Sequence, residues 1–217
     1  MTDAAITIQG EKLQLLPERA IYWERTQTIF VADVHLGKAA TFRAHRIPLP
    51  EGSMTEDLSR LSQAITRTQA NKLIILGDLF HSEEGRDEQT HTVFDHWRGQ
   101  HPDLELILVR GNHDRKAGDP LEKWNIHCID GPTSGPLFVL NHNPIAPVNG
   151  YALAGHLHPA VQLTGQAHQM VKLPCFWFTQ HCGILPAFGS LIDNGIIQPQ
   201  MGDNLFVVTR EHVIEVV

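Results

Sequence analysis

The chain has 217 residues, 42% of them hydrophobic, and a formal net charge of −7. This length suits one domain over residues 1–217, and the negative charge argues against a protein that wraps nucleic acid mainly by bulk positive charge. Cys128, Cys175 and Cys182 include no C-x-x-C pair, so they indicate neither a disulfide framework nor a zinc ribbon, and a reduced, cytoplasmic protein is expected.

The first predicted elements are short strands that end at a pair of metal-ligand residue types. They cover Ile6–Ile8, Leu13–Leu16, Ala20–Trp23 and Thr28–Ala32. The last strand runs directly into Asp33-Val34-His35. Residues two apart in an extended segment face the same side, so Asp33 and His35 can both point at one ion.

Residues 38–52 are predicted to form a loop with a basic cluster beside these first ligands. The cluster contains Lys38, Arg43, His45 and Arg46. Arg43 and Arg46 are candidates for contacts to substrate phosphates, and a solvated surface is the alternative interpretation.

A strand–helix–strand unit follows this loop. Ser53 and Glu56 have the spacing of a capping box, and the apolar residues after them predict a helix that ends near Asn71. The strand Leu73–Leu76 then leads through a glycine to Asp78. This order is typical of a βαβ unit that carries ligands at the carboxyl ends of its strands.

The remaining chain repeats the arrangement of a strand followed by a donor. A helix is predicted over Glu88–Arg98, and the strand Leu104–Val109 ends in Arg110-Gly111-Asn112-His113-Asp114. From Ile126 onward short β-strands dominate, separated by prolines and glycines. His142 follows one of these strands, and Gly155-His156-Leu157-His158 follows another.

The donors from these five segments suit two divalent cations. They are Asp33, His35, Asp78, Asn112, His142, His156 and His158. Two ions roughly 3.5–4 Å apart need a bridging group and about three further protein ligands each. We therefore expect Asp78 to bridge the two ions. A water that both ions share would have a lowered pKa and would act as a nucleophile at neutral pH.

Four further residues near these donors are candidates for catalysis or substrate binding. His113 is adjacent to Asn112, so we expect it to point away from the ions and to act as a general acid, oriented by Asp114. The alternative is a structural histidine. His81 is expected either to approach the substrate or to orient a ligand. Arg110 could brace a phosphate, although a solvated arginine is the more common case.

The order D-x-H, G-D, G-N-H-D, H and G-H-x-H, found here between residues 33 and 158, resembles the calcineurin-like metallophosphoesterase family. The resemblance implies an α/β (α+β) fold, a four-layer sandwich of two mixed β-sheets flanked by helices. It also implies that one ion is held by Asp33, His35, Asp78 and His158, and the other by Asp78, Asn112, His142 and His156. Mn²⁺ is the ion it implies first, with iron, zinc or magnesium as alternatives. Asn141 precedes His142, where many members have glycine.

A narrower resemblance concerns the substrate. The size of the chain, the loop Arg43–Pro50, the segment Gly77–His81 and the segment Leu185–Gly189 are similar to the bacterial ligase-associated DNA damage response endonucleases. This similarity implies a DNA phosphodiester as substrate, a role in DNA repair, and a DNA ligase, an exonuclease and a helicase as partners.

Three other functions are weighed against DNA cleavage. The first is hydrolysis of a small linear or cyclic phosphodiester or a phosphomonoester, which the same metal site would allow. The second is a binding protein with a degraded site, which the full donor set disfavours. The third is a metallo-β-lactamase-type nuclease, whose H-x-H-x-D-H motif is missing. No signal peptide or membrane helix is expected.

Overall fold

The computed structural model describes residues 1–49, 52–135, 137–165 and 170–216. Within these residues the helices are α1 (Lys38–Ala44), α2 (Ser53–Thr68), α3 (Glu88–Gln100) and α4 (Asp114–Ala117), and 3-10 turns cover Glu24–Thr26 and Glu122–Trp124. The strands are β1 (Ala4–Ile8), β2 (Glu11–Leu16), β3 (Ala20–Trp23), β4 (Thr28–Val31), β5 (Lys72–Ile75), β6 (Glu105–Val109), β7 (Ile126–Ile129), β8 (Thr133–Ser134), β9 (Phe138–Leu140), β10 (Tyr151–Ala154), β11 (Pro159–Thr164), β12 (Met170–Phe178), β13 (Cys182–Ile184), β14 (Gly195–Ile196), β15 (Asn204–Val208) and β16 (Val213–Val216).

The first sheet has the strand order β1-β2-β3-β4-β5-β6-β7. The strands from β1 to β4 pair antiparallel, whereas those from β4 to β7 pair parallel. Helix α2 lies on the connection from β4 to β5 and helix α3 on that from β5 to β6, as crossovers between parallel strands require. The carboxyl ends of β4, β5 and β6 therefore lie at one edge of the sheet.

The second sheet has the order β14-β11-β12-β13-β10-β9-β8, with β15 paired to β12 and β16 to β15. Its strands β9, β10 and β13 are parallel neighbours, and β12 runs antiparallel to β13. The segment after β13 joins the two sheets, because Ala187 forms a parallel bridge with Ala32 at the end of β4. We call the edge at which β4, β5, β6, β9 and β10 end the carboxyl edge.

Buried apolar residues form a core on each face of the first sheet. Along β4, Ile29 and Val31 belong to the cluster that includes the apolar faces of α2 and α3, whereas Phe30 belongs to the cluster shared with the second sheet. This alternation follows from the two-residue repeat of a strand. Residues from both halves of the chain therefore build the core between the sheets.

The fold class predicted from the sequence is confirmed: two mixed β-sheets are combined with helices that pack beside them. Two local predictions are wrong. Residues 38–44 form α1 instead of a loop, and α2 is preceded by Gly52 at φ 101° without a side-chain cap, so Ser53 is its first residue. Among the described residues, no helix is long and apolar enough to span a membrane.

Candidate metal centre

The predicted ligands lie on the loops that follow five parallel strands at the carboxyl edge. Asp33 and His35 follow β4, Asp78 follows β5, and Asn112 follows β6. His142 follows β9, and the pair His156 and His158 follows β10. The structure brings all seven side chains together, as the following distances show.

The first group of donors consists of Asp33, His35 and His158. Their ligand atoms all lie within 4.8 Å of one another, and Asp33 Oδ1 is 3.4 Å from His158 Nε2. Asp33 Oδ1, His35 Nε2 and His158 Nε2 are buried and have no hydrogen-bond partner in the described part of the chain. Because unpartnered buried polar atoms are costly, three of them directed at one another fit a cation.

The second group consists of Asp78, His142 and His156, whose ligand atoms also lie within 4.8 Å of one another. His142 Nε2 is 3.4 Å from Asp78 Oδ2, 3.0 Å from His156 Nδ1 and 3.0 Å from Asn112 Oδ1. His142 Nδ1 lies 3.1 Å from the Leu76 carbonyl oxygen, to which it can donate its proton. Its Nε2 then keeps a free lone pair directed at the other donors.

Asp78, a member of the second group, also faces the first group. Its Oδ2 is 3.7 Å from His35 Nε2 in the first group and 3.4 Å from His142 Nε2 in the second. Burial raises the pKa of the Asp78 carboxyl to about 6 and lowers the pKa of His35 to about 2. Burial thus keeps His35 neutral, the form in which an imidazole binds a cation, and a bound cation would offset the cost of the Asp78 carboxylate.

The backbone at these positions is unusual. Asp33, His35, Asp78, His156 and His158 have φ between 48° and 71°, a left-handed conformation that non-glycine residues seldom adopt. Conformations of this kind cost about 1–3 kcal/mol each and cluster at functional sites. Five of the seven predicted ligands therefore lie on strained loop positions that the surrounding structure maintains.

Two motif glycines make room for a ligand from a different segment. A Cβ atom on Gly77 would lie 2.1 Å from His142 Nδ1, and one on Gly111 would lie 2.1 Å from Asp78 Oδ1. Gly77 also has φ 85°. The glycines that precede Asp78 and Asn112 in the sequence are therefore required by the close approach of His142 and Asp78.

The contacts of Asp114 differ from the prediction. Its carboxylate accepts hydrogen bonds from the backbone N–H groups of Asp78, Leu79 and Gly111 at 2.7, 2.9 and 2.8 Å. Within the described residues it forms no hydrogen bond with the His113 side chain. Asp114 thus fastens the loop after β5 to the loop after β6, and burial raises its pKa.

His113 and His81 form a stacked pair beside the first group. Their ring centroids are 5.0 Å apart, and His113 Nδ1 lies 2.6 Å from the His81 carbonyl oxygen, which orients the imidazole. His81 Nδ1 is 3.2 Å from His35 Nδ1, so its position favours orientation of a ligand, one of the two roles considered for it. Burial, together with Lys38, lowers the pKa of His81 to about 4.

The predicted phosphate contacts have different surroundings. Arg110 forms a two-bond ion pair with Asp119, both distances being 2.7 Å, and this occupies its guanidinium. That pairing disfavours the predicted contact between Arg110 and a phosphate. Arg43 is half-buried on α1, and Arg46 is exposed just after it. Pro50, at the end of the same predicted loop, lies outside the described residues.

One contact of the site had no signal in the sequence. His158 Nδ1 lies 3.3 Å from the Asp193 carbonyl oxygen, which is placed to orient the His158 ring. Any residue type supplies a backbone carbonyl, so no motif marks it. The nearby Gly189 N–H donates to the Asp33 carbonyl oxygen at 3.1 Å, which holds this later segment against the centre.

The chain is similar to proteins of one known family. The calcineurin-like phosphoesterase profile matches residues 26–183. The chain is similar to the crystal structure of Pseudomonas putida nuclease MPE, with 33% identity, a TM-score of 0.86, and coverage of 99% of this chain and 100% of that chain. It is also similar to Yfce, a phosphoesterase from E. coli, with 15% identity, a TM-score of 0.42, and coverage of 87% and 97%. No curated protein matches the chain.

The matched region contains every predicted ligand from Asp33 to His158, and the similarity to a nuclease agrees with the narrower resemblance found in the sequence. The donors gathered at the carboxyl edge are those that a metal-dependent hydrolase needs. The chain belongs to the calcineurin-like phosphoesterase family and is a metal-dependent phosphoric ester hydrolase.

Proposed function

We propose that the protein is a dinuclear-metal-dependent phosphodiesterase that cleaves DNA. The observation that carries the proposal is the position of Asp78, whose Oδ2 lies 3.7 Å from a histidine of one donor group and 3.4 Å from a histidine of the other. A carboxylate between two sets of donors is the arrangement that a bridging ligand requires.

The donor set supports two divalent cations as cofactors. Asp33, His35 and His158 would hold one, His142, His156 and Asn112 the other, and Asp78 both. Carboxylate, imidazole and amide donors suit borderline and hard ions, so Mn²⁺ is the proposed metal, and iron, zinc or magnesium would also fit. When bound, the two cations would lower the pKa of a water and offset charge on the phosphoryl oxygens.

Three residues of the chain have roles in the reaction besides those of the charged and imidazole metal ligands. His113 holds its imidazole with Nδ1 against the His81 carbonyl oxygen, which leaves Nε2 free to carry the proton that a leaving oxygen needs. Asn112 adds a neutral oxygen to the second donor group, so it adds no further negative charge there. Asp114 positions the loops of Asp78 and Asn112 through the backbone.

The similarity to a nuclease supports a nucleic acid as the substrate, and the motif resemblance favours DNA. A role in DNA repair, with a DNA ligase, an exonuclease and a helicase as partners, rests on the motif resemblance. Cys128, Cys175 and Cys182 are free thiols, which supports the proposed cytoplasmic location because thiols persist there.

The test is cleavage of labelled single- and double-stranded DNA with added Mn²⁺. We expect wild-type protein to cleave, and we expect both chelator and the His113→Ala substitution to suppress cleavage. Metal analysis of both proteins is needed alongside, because His113→Ala should retain its metal.

A generic aryl phosphodiester serves as the comparison substrate. Protein that holds two metals and hydrolyses this compound, yet leaves DNA intact, would contradict the DNA assignment. The phosphodiesterase assignment would stand in that case, and the substrate would be a small linear or cyclic phosphodiester.

A further inference from the structure

A groove of about 1000 Å³ lies at the carboxyl edge. It is lined by Arg19 in the turn between β2 and β3, Arg60 on α2, Lys172 near the start of β12, and Arg210 in the turn between β15 and β16. The lining also includes Glu18 and Glu56, so positive charges outnumber negative ones by four to two. This balance contrasts with the formal net charge of −7 of the whole chain.

Of the two arginines that the first half of the chain contributes to the groove, only one pairs with a carboxylate among the described residues. Arg60 pairs with Asp57 at 2.8 Å, whereas Arg19 forms no ion pair in the described part of the chain and donates to the carbonyl oxygens of Ala187 and Gly189. Burial, and then the charge of Arg60, lower the pKa of Arg19 to about 10. An anion placed between the two guanidinium groups would relieve this repulsion.

The second sheet contributes a further cation to the groove from one of its turns. Arg210 is exposed, and among the described residues it has no ion-pair partner, whereas Lys172 pairs with Asp193 at 3.0 Å. Of the two acidic residues, Glu18 is bound by Arg67 at 2.7 Å. The charges available to a ligand are therefore predominantly positive.

One short segment of the chain links the groove to the metal centre. Ser190 lines the groove and is held by Asp57, whose Oδ2 accepts from its N–H and hydroxyl at 3.0 and 3.2 Å. Three residues further on, the Asp193 carbonyl oxygen contacts His158. Three residues span at most about 11 Å, so the groove begins within a few phosphates of the centre along a strand.

We propose that this groove binds the phosphodiester backbone of the nucleic-acid strand on one side of the cleavage site, an inference that rests on the proposed function. Guanidinium groups pair well with phosphate oxygens. None of the lining residues in the described chain is aromatic, so the contacts involve the backbone rather than stacked bases. Binding in the groove is therefore independent of sequence and sensitive to salt.

The test compares a long labelled oligonucleotide with the aryl phosphodiester, which is too small to reach the groove. In Arg210→Gln we expect the ratio of kcat/KM for the oligonucleotide to that for the aryl compound to fall about tenfold, as loss of one charged hydrogen bond predicts. Arg210→Lys should recover part of the ratio because it restores the charge.

A binding measurement provides a readout other than activity. Fluorescence anisotropy of the oligonucleotide with His113→Ala protein and Mn²⁺ gives the slope of log affinity against log salt concentration. Adding Arg210→Gln should reduce the magnitude of this slope by about 0.7, the value for one phosphate contact on a single strand.

Lys123→Gln is the matched control, because it removes one positive charge at the opposite edge of the first sheet, where Lys123 pairs with Asp95 at 2.7 Å. It should change neither the ratio nor the slope. If Arg210→Gln also changes neither while wild-type protein cleaves DNA, the groove proposal is overturned and the proposed function stands.

Two other outcomes of these experiments would each overturn the groove proposal for a different reason. Wild-type protein that hydrolyses the aryl compound but neither binds nor cleaves the oligonucleotide would overturn the DNA assignment and the groove proposal together. The second outcome concerns an acidic peptide, with polyglutamate as the probe. If polyglutamate displaces the oligonucleotide, and if Arg210→Gln reduces the salt slope of polyglutamate binding by the same amount, the groove binds acidic peptides and the proposal is overturned.

Discussion

The parallel and antiparallel parts of the two sheets meet at the same edge but contribute different chemistry. The parallel strands β4, β5, β6, β9 and β10 lead to the seven predicted ligands, whereas the antiparallel strands contribute basic residues, such as Arg19 and Arg210, from their turns. Consecutive parallel strands all end at one edge, so their loops converge there. Antiparallel turns alternate between edges. This convergence explains why the buried metal ligands concentrate after the parallel strands. The basic residues of the groove lie at the same edge.

The largest expected effect comes from Asp78, at the centre of the parallel part. Replacing it with Ala should abolish activity and metal binding together, because both donor groups lose the carboxylate between them. We expect metal affinity to fall by more than about 100-fold, the upper range for residues that only orient ligands. Elemental analysis and calorimetric metal titration measure this. Retention of two metals at wild-type affinity would contradict the bridging role.

His113 should affect the reaction without affecting the metals. In His113→Ala we expect kcat on DNA to fall by about 10²–10⁴-fold, the usual contribution of a general acid. The loss should be much smaller on an aryl phosphodiester, whose leaving group needs no proton. The two kcat values and the metal content separate the roles, and loss of both metals from the variant would show that His113 is structural instead.

Gly111→Ala should disturb the centre through shape alone. A Cβ atom would lie 2.1 Å from Asp78 Oδ1 and 2.7 Å from the Asp78 backbone nitrogen. We expect stability to fall by about 1–3 kcal/mol and metal affinity by about 10- to 100-fold.

Gly99→Ala is the control for this substitution, because Gly99 lies in the last turn of α3 and the added Cβ would have no atom within 4 Å apart from the backbone of its own helix and its chain neighbours. It should leave metal affinity unchanged and stabilise the chain slightly. Denaturant unfolding and metal titration measure both variants. Equal behaviour of the two variants would contradict the steric argument.

The smallest effect is expected at Asp57, which joins α2 to the segment between groove and centre. It is buried, and it binds Ser190 and Arg60. In Asp57→Asn one amide hydrogen would face a donor, at a cost of about 1–3 kcal/mol, and we expect Tm to fall by about 2–10 °C. Ser190→Ala, which loses only the hydroxyl contact, should have a smaller effect. The reverse order in thermal melts would contradict this assignment.

The difference between the parallel and antiparallel strands explains how much of the structure could be predicted from the sequence. Each predicted ligand lies in a loop that follows an apolar strand, and the structure gathers Asp33, Asp78 and His142 in the loops after β4, β5 and β9, as this pattern predicts. The short helix α1 differs from the prediction because its seven residues include Lys38 and Arg43 of the basic cluster, and Phe42 is its only large apolar residue, so no apolar stripe marks it. The N-terminus of α2 was misplaced because the Ser53–Glu56 spacing suggested a cap that Gly52 provides without a side chain.

Contacts between distant segments could not be predicted. Asp114 binds backbone N–H groups 35 and 36 residues earlier in the chain, at Leu79 and Asp78. Any backbone N–H group in a suitable position can donate to this carboxylate, so no motif in the sequence marks the contact. The basic groove was missed for the same reason. Arg19, Lys172 and Arg210 are far apart in the chain, and only the alternation of antiparallel strands brings them to one edge.

The two motif glycines have a consequence for how the site tolerates change. The space left by Gly77 is filled by His142, and the space left by Gly111 is filled by Asp78. The glycine of each motif therefore leaves space for a side chain that belongs to a different motif. Substitutions in the two contacting motifs should show strong epistasis, because the loss of stability caused by a Cβ atom at Gly77 depends on whether an imidazole ring still occupies position 142. A single loop transplanted into a relative would succeed only when its counterpart loop came with it.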